Sequence, residues 1–220
     1  MGLSIHSDVY IRWHGLSCFE FYDGRTRVVT DPHDGKSIGL YTPNVYADVV
    51  LSTHNSFARN CFRIVKGTHR DFLEYAGDGS VGDFSFLGLQ SGSLHGSDGN
   101  QGANSIYSFS MDGIRVAFTG SLGGIPDDFA VECLRDSDIL FVPVGAYSTI
   151  SIDGVNEFID MVRPKVVVPT DFKIGGVTLP LAPIQEFMEG KDPDSFVHVG
   201  NEVEFYSEDI ADYEGIWLFD

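Results

Sequence analysis

Basic residues are scarce in this chain. Fourteen Lys and Arg stand against 32 Asp and Glu, a formal net charge of −18 and a pI near 4.5. Phosphate-backbone contacts need a basic footprint, so this balance argues against nucleic acid as a partner. Abundant Asp with little Lys is a feature of salt-adapted surfaces, and it speaks to solubility and not to chemistry. Cysteine is nearly absent. Cys18, Cys61 and Cys133 are widely spaced and form no C-x-x-C, so neither a disulfide framework nor a cysteine zinc site is indicated. They read as core thiols in a reducing compartment. No apolar run approaches the ~20 residues that cross a bilayer. The opening MGLSIHSDVY has no charged flank leading into an apolar core, and His6 stands where N-myristoylation calls for Ser or Thr. The expectation is a cytoplasmic, soluble protein with no membrane partner. No repeat of ~20–50 residues is present.

What the chain does have is enough apolar content, 43% of 220 residues, to bury a core, and a single domain over residues 1–220 is expected. Short strands separated by turn signals open it: Val9 to Trp13, Cys18 to Tyr22 and Arg27 to Thr30, with Asp23-Gly24 as a hairpin turn. Asp48 to Thr53 is an unbroken apolar run that suits a strand buried on both faces. From Phe62 to Ser93 the pattern is Gly-rich and predicts short strands of unreadable register. Ser105 to Ser110 and Ile114 to Thr119 flank Asp112-Gly113 as the clearest hairpin. Pro126, Asp127 and Asp128 open a helix with Phe129, Cys133 and Leu134 as its apolar face. Asp138 to Val144 is a buried strand. Ser151 caps a helix whose Val155, Phe158, Ile159 and Val162 recur at i, i+3, i+4 and i+7, and Pro164 stops it. A strand over Lys165 to Pro169, a short helix from Pro183 to Glu189, and strands at Phe196 to Val199 and Val203 to Tyr206 complete the pattern. Strands first and strand-helix alternation later give a layered α/β (α+β) sandwich.

The order of several segments is also familiar. R-W-H-G-L-S-C-F at Arg12 to Phe19, V-V-T-D-P at Val28 to Pro32 and A-D-V-V-L-S-T-H at Ala47 to His54 are followed by G-A-N-S-I-Y at Gly102 to Tyr107. Then come G-I-R-V-A-F-T-G-S-L-G at Gly113 to Gly123, D-I-L-F-V-P-V-G at Asp138 to Gly145 and P-K-V-V-V-P-T-D-F at Pro164 to Phe172. This series resembles the metallo-β-lactamase superfamily, in its branch of small stand-alone hydrolases related to ascorbate-phosphate lactonases. The resemblance runs from about Tyr10 to Tyr206. It implies a four-layer αββα sandwich and, in the family, hydrolysis at a metal site.

The ligands that the resemblance calls for are mostly missing. The family pattern T-H-x-H-x-D-H falls on Thr53-His54-Asn55-Ser56-Phe57-Ala58-Arg59, which keeps only His54 and puts Ser56, Ala58 and Arg59 at the other ligand positions. Ser121 stands at the bridging aspartate and Asp171 at the last histidine. His95 is the candidate for the middle histidine, with a spacing back from Asn104 shorter than the family's. Leu16 replaces an active-site histidine, and His14 lies just before it. Zinc needs about three protein ligands plus water, and a guanidinium at a ligand position repels a cation. The expectation is therefore no cofactor, with zinc or another divalent metal as the alternative. His54, His95, His33 and Asp171 are the candidate ligands in that case.

The candidate site is accordingly His54, Ser56, Ala58, Arg59, Ser121, Asp171 and Asp31. His54 is either a remnant ligand or a hydrogen-bonded strand-end residue. Asp31 either supports the site or satisfies backbone donors. Arg59 and Asp171 either cross-link two loops or, through Arg59, bind an anionic small molecule. Ser17, Ser56 and Ser121 show no His/Asp relay, and Gly120 to Gly124 lacks the Lys and spacing of a P-loop. The apolar stretch from Glu214 to Phe219 is expected to pack on the body or on another copy of the chain, a homo-oligomer. The leading functional expectation is a non-catalytic relative of metal-dependent hydrolases. A hydrolase with a rearranged mononuclear site and a structural, oligomer-forming protein are the rivals.

Overall fold

Two tight turns set the sheets. At the first, Asp23 Oδ1 accepts from the N–H groups of Arg25 (3.0 Å) and Thr26 (2.8 Å), and Gly24 takes a φ of 83°. At the second, Asp112 and Gly113 have φ of 45° and 87° between the paired Met111 and Ile114, as a two-residue type I′ hairpin requires. The computed structural model describes residues 8–92 and 102–220; His6 and His95 lie outside them.

The strands are β1 (Asp8–Trp13), β2 (Phe19–Tyr22), β3 (Arg27–Thr30), β4 (Val49–Ser52), β5 (Arg70–Leu73), β6 (Gly77–Val81), β7 (Phe84–Gly92), β8 (Ala103–Met111) and β9 (Ile114–Phe118). The helix α1 (Asp128–Leu134), β10 (Ile139–Pro143), α2 (Ile152–Val162), β11 (Val166–Thr170), α3 (Ile184–Met188), β12 (Phe196–Gly200), β13 (Glu202–Tyr206) and β14 (Gly215–Phe219) follow. One sheet has the order β13-β1-β2-β3-β4-β5 and the other β12-β14-β11-β10-β9-β8-β7-β6. Strands β3, β4 and β5 are parallel, as are β9, β10, β11, β14 and β12. The remaining pairs are antiparallel.

Alternation decides which side chains face inward. Val9, Ile11 and Trp13 from β1 and Phe19 and Phe21 from β2 join the main core, which takes in residues of both sheets. Phe19 sits among Phe141 (4.9 Å between ring centroids), Phe219 (5.4 Å) and Phe118 (6.3 Å). The run read as a doubly buried strand, β4, is parallel and buried along its whole length, as are β10 and β11, because both faces are covered. Val29 and Val50 face the other way, into a second cluster with Cys18, Val45, Ala47 and Val65.

The two-sheet sandwich is the architecture expected, with the strands shifted by a residue or two at their ends. One detail differs, and the structure adds two more. The apolar face of α1 is Ala130, Val131 and Leu134, while Phe129 is 70% exposed. Asp127 caps this helix by accepting from Ala130 N at 2.8 Å, which sets a phase that turns Phe129 outward. The Glu214 to Phe219 stretch supplies β14, an interior strand between β12 and β11, so it packs within the body. All α-helices among the described residues come after β9, and 3-10 turns at Lys36–Ile38 and Phe62–Ile64 accompany the first sheet. No helix among the described residues is long and apolar enough to cross a membrane.

Candidate functional site

The carboxyl ends of the parallel strands β3, β4, β9 and β11 open onto one edge of the sandwich, the place where open parallel sheets bind ligands. Asp31 follows β3, Thr53 and His54 follow β4, Ser121 follows β9 and Asp171 follows β11. The two sheets touch here. Ser105 N donates to Thr53 O at 2.8 Å.

Arg59 lies at the middle of this edge and is only 7% exposed. Its loop is a tight turn in which Arg59 N donates to Ser56 O, and Ser52 Oγ donates to Arg59 O at 2.9 Å. Nη1 donates to Asp31 Oδ2 at 2.8 Å and to Ser17 Oγ. Nη2 donates to Asp171 Oδ2 at 2.7 Å. Asp31 and Asp171 are themselves buried. The carboxylate of Asp31 also accepts from Thr53 N (2.7 Å) and Thr53 Oγ1 (2.8 Å to Oδ2).

Burial opposes the charge on Arg59, but Asp171 and Asp31 outweigh it and hold the guanidinium pKa above its ordinary range. Burial pushes the Asp31 carboxyl up, against the pull of Arg59 and the Thr53 donors. Charged hydrogen bonds of this kind are strong when water is excluded.

Exclusion of water comes from the neighbouring side chains. Leu16, Ile38, Ala58 and Val177 form a small apolar cluster, with Leu40, Ile174, Leu179 and Leu181 packed against it. Leu16 and Ala58 thus stand beside Ser17 and Arg59 as packing residues. The backbone is unusual at the same place: Leu16, Asp31 and Asp171 have φ of 52°, 40° and 56°. Non-glycine residues adopt that region at a cost and cluster at sites.

His54 is placed separately. Its Nδ1 lies 2.7 Å from Ala103 O and 3.3 Å from Glu74 Oε1, so Nδ1–H donates to the carbonyl. At Gly102 an added Cβ would come within 2.0 Å of His54 Cε1, so the imidazole would have to move. Ser121 is fixed through its backbone, its N–H donating to Asn104 Oδ1 at 2.9 Å, and Ser56 N donates to His54 O. His33 is fully buried, its Nε2 3.1 Å from the His14 carbonyl, while His14 pairs with Glu20 at 3.2 Å. Among the described residues no group of three or more His, Cys, Asp or Glu is arranged to hold a metal ion.

The structure therefore joins Arg59, Asp171 and Asp31, while His54 has separate partners. Sequence reading missed Glu74 beside His54, because no spacing links the β4 loop to the end of β5. It also missed Ser17 and Thr53 as partners of the charged group, although both flank motif residues. An open concavity of about 840 Å³, lined in part by Asp23, Asp48, Phe84, Asp112 and Arg115, sits at the turns that begin β3 and β9, the ends of those strands away from this edge.

Two packed sheets, with the carboxyl ends of their parallel strands gathered at a charged edge, define a metallo-β-lactamase-type sandwich. The chain belongs to the family described as Beta-lactamase superfamily domain, which matches residues 10–171. A UPF0173 metal-dependent hydrolase of Thermoplasma acidophilum is 24% identical over 185 residues, covering 74% of this chain and 82% of its own. A Thermotoga maritima structure described as a member of the metallo-β-lactamase superfamily superposes with a TM-score of 0.78 at 29% identity, over 96% of this chain and 98% of that one. The metallo-β-lactamase fold protein YhfI of Bacillus subtilis shares the fold at 8% identity and a TM-score of 0.58, over 97% and 96% of the two chains.

Proposed function

We propose that this chain is a β-lactamase-superfamily protein that has exchanged the metal ligands of its strand-end site for an internal ion cluster and no longer carries out metal-dependent hydrolysis. The observation that carries this reading is Arg59, whose two Nη atoms hold Asp31 and Asp171 at 2.8 and 2.7 Å. The carboxylates that converge at this edge already share a cation that belongs to the chain. A divalent ion there would meet a permanent positive charge. The donor set does not fit a metal: Ser56 and Ala58 bring no imidazole or carboxylate, and His54, whose Nδ1 faces Ala103 O and Glu74, can offer only its Nε2, one donor where about three protein ligands are needed.

An anionic ligand, the partner expected from Arg59, would have to compete with Asp31 and Asp171 for the same guanidinium. Arg59 therefore gives that partner little support. The rival reading, a hydrolase with a rearranged mononuclear site, draws on the names of the relatives and on His54 with Glu74 beside it.

Metal analysis of protein purified without chelators, run with a hydrolysis screen on phosphoester, lactone and β-lactam substrates, decides between them. The expected result is far less than one equivalent of zinc, manganese or iron, with no EDTA-sensitive turnover. Near-stoichiometric metal, removed by EDTA together with hydrolysis, would establish the rival.

A further inference from the structure

We infer that Arg59 is the resident cation of this edge, a guanidinium that ties the strand-end loops of both sheets together so that their arrangement needs no metal. The inference rests on the reading above and extends it from what the site has lost to what the side chain now does. Asp31 and Ser17 belong to loops of the first sheet and Asp171 to a loop of the second, and all three converge on the two Nη atoms of one guanidinium. The base of the side chain is anchored as well, by Ser52 Oγ on the Arg59 carbonyl. One planar group thus connects four chain segments, which a fork of N–H donors can do and a lysine ammonium on a flexible stem cannot do as well.

Charge makes the connection necessary. Two buried carboxylates share this one cation, and without it they would face each other in a site from which Leu16, Ile38, Ala58 and Val177 keep water. The left-handed backbone at Leu16, Asp31 and Asp171 has to be held by its surroundings, and the guanidinium touches the side chain of Asp31, that of Asp171 and that of Ser17, next to Leu16. Unlike a bound ion, it cannot be chelated or lost at low concentration. Removing it should leave an oxygen-lined anionic gap that an added cation can fill.

Thermal unfolding of the wild type, Arg59→Ala, Arg59→Lys and Arg59→Ala/Asp171→Asn tests this, each in plain buffer, with EDTA, with methylguanidinium and with manganese chloride. The wild-type Tm is expected to ignore EDTA. Arg59→Ala should melt roughly 10 °C lower, as breaking a buried ion pair in a chain of this size implies. Methylguanidinium or manganese should recover part of that loss in Arg59→Ala, since a ligand of the folded state raises stability, and should recover less in the double variant, where Asp31 is left as the carboxylate that held the guanidinium. An Arg59→Ala Tm equal to wild type, a recovery that is the same in the double variant, or a wild-type Tm that falls with EDTA would each overturn the inference. If Arg59→Ala does not fold, Arg59→Lys decides: a Tm below wild type supports the bridging role and an equal one refutes it. Metal found in the wild type would defeat the proposed function alone, because these shifts score Arg59 independently of turnover.

Discussion

Arg59 and Asp171 stand 112 residues apart in sequence, yet Nη2 of one and Oδ2 of the other are 2.7 Å apart, joining a loop of the first sheet to a loop of the second. The side chains are 9% and 5% exposed, so the pair cannot fall back on solvent if either partner is removed. Arg59→Met, which strands Asp31 and Asp171 together, is expected to destabilise the protein by about 3–5 kcal/mol, and Asp171→Leu, which leaves Arg59 paired with Asp31, by about 1–3 kcal/mol. The double variant Arg59→Met/Asp171→Leu should lose less than the sum of its single variants, because it leaves fewer stranded charges. Denaturant unfolding of the four proteins checks this; strict additivity would show that the two residues are not coupled.

Gly120 supports the same group from behind. Its φ is 55°, and a Cβ would lie 2.0 Å from Thr53 Oγ1, the hydroxyl that donates to Asp31. Gly113, with a φ of 87°, has open space where its Cβ would go. Gly113→Ala should cost only about 1 kcal/mol of backbone strain, and Gly120→Ala clearly more. Equal losses in chemical denaturation would mean that contact with Thr53 is unimportant.

His33 gives a pH dependence of known sign. Burial lowers its pKa from the ordinary 6.5. Its Nε2 faces the His14 carbonyl and its buried Nδ1 has no hydrogen-bond partner among the described residues, so a second ring proton would find no acceptor among them. Below pH 6.5 the unfolded chain binds a proton that the folded chain resists. Stability is therefore full above that value and declines as the pH falls from 6.5 toward the lower folded pKa. His33→Gln should flatten this decline in urea titrations run at several pH values; an unchanged slope would show that His33 does not contribute.

How much was legible follows from what each residue type signals locally. The period of Val9, Ile11 and Trp13, the Asp112-Gly113 turn and the Ser151 cap announce their structure within a few residues, and each stands where the pattern puts it. Strands β5 to β7 were unreadable because Gly77, Gly79, Gly82 and Gly88 dilute the alternation. Phe129 misled because a seven-residue helix has too few turns to fix its phase by hydrophobicity, and the Asp127 cap decides it. At the site, Arg59, Asp31 and Asp171 were legible because each sits in a motif. The Glu74 partner of His54 comes from a different element and carries no pattern. Exchange of Phe129 tests the corrected helix face: Phe129→Ser should change stability by no more than about 0.5 kcal/mol, as at other exposed sites, whereas Phe158→Ala in α2 should cost about 3–5 kcal/mol.

The last strand supplies the strongest test of the topology. Sequence alone leaves Glu214 to Phe219 as an apolar stretch with two outlets, the body of the protein or another copy. In the structure β14 pairs with β11 on one side and β12 on the other. Trp217 packs edge-on to Phe205 at 5.4 Å, and Phe219 reaches Phe19 at the same separation. Removing the strand would leave the β11 edge unpaired, detach β12 and open the aromatic core to water. A chain truncated after Glu214 should therefore lose its near-UV circular dichroism and bind ANS, the signs of a core without fixed packing. A strand that merely lay on the surface, or served only to join two copies, would leave the truncated chain cooperatively folded, and that result would contradict the placement of β14 between β12 and β11.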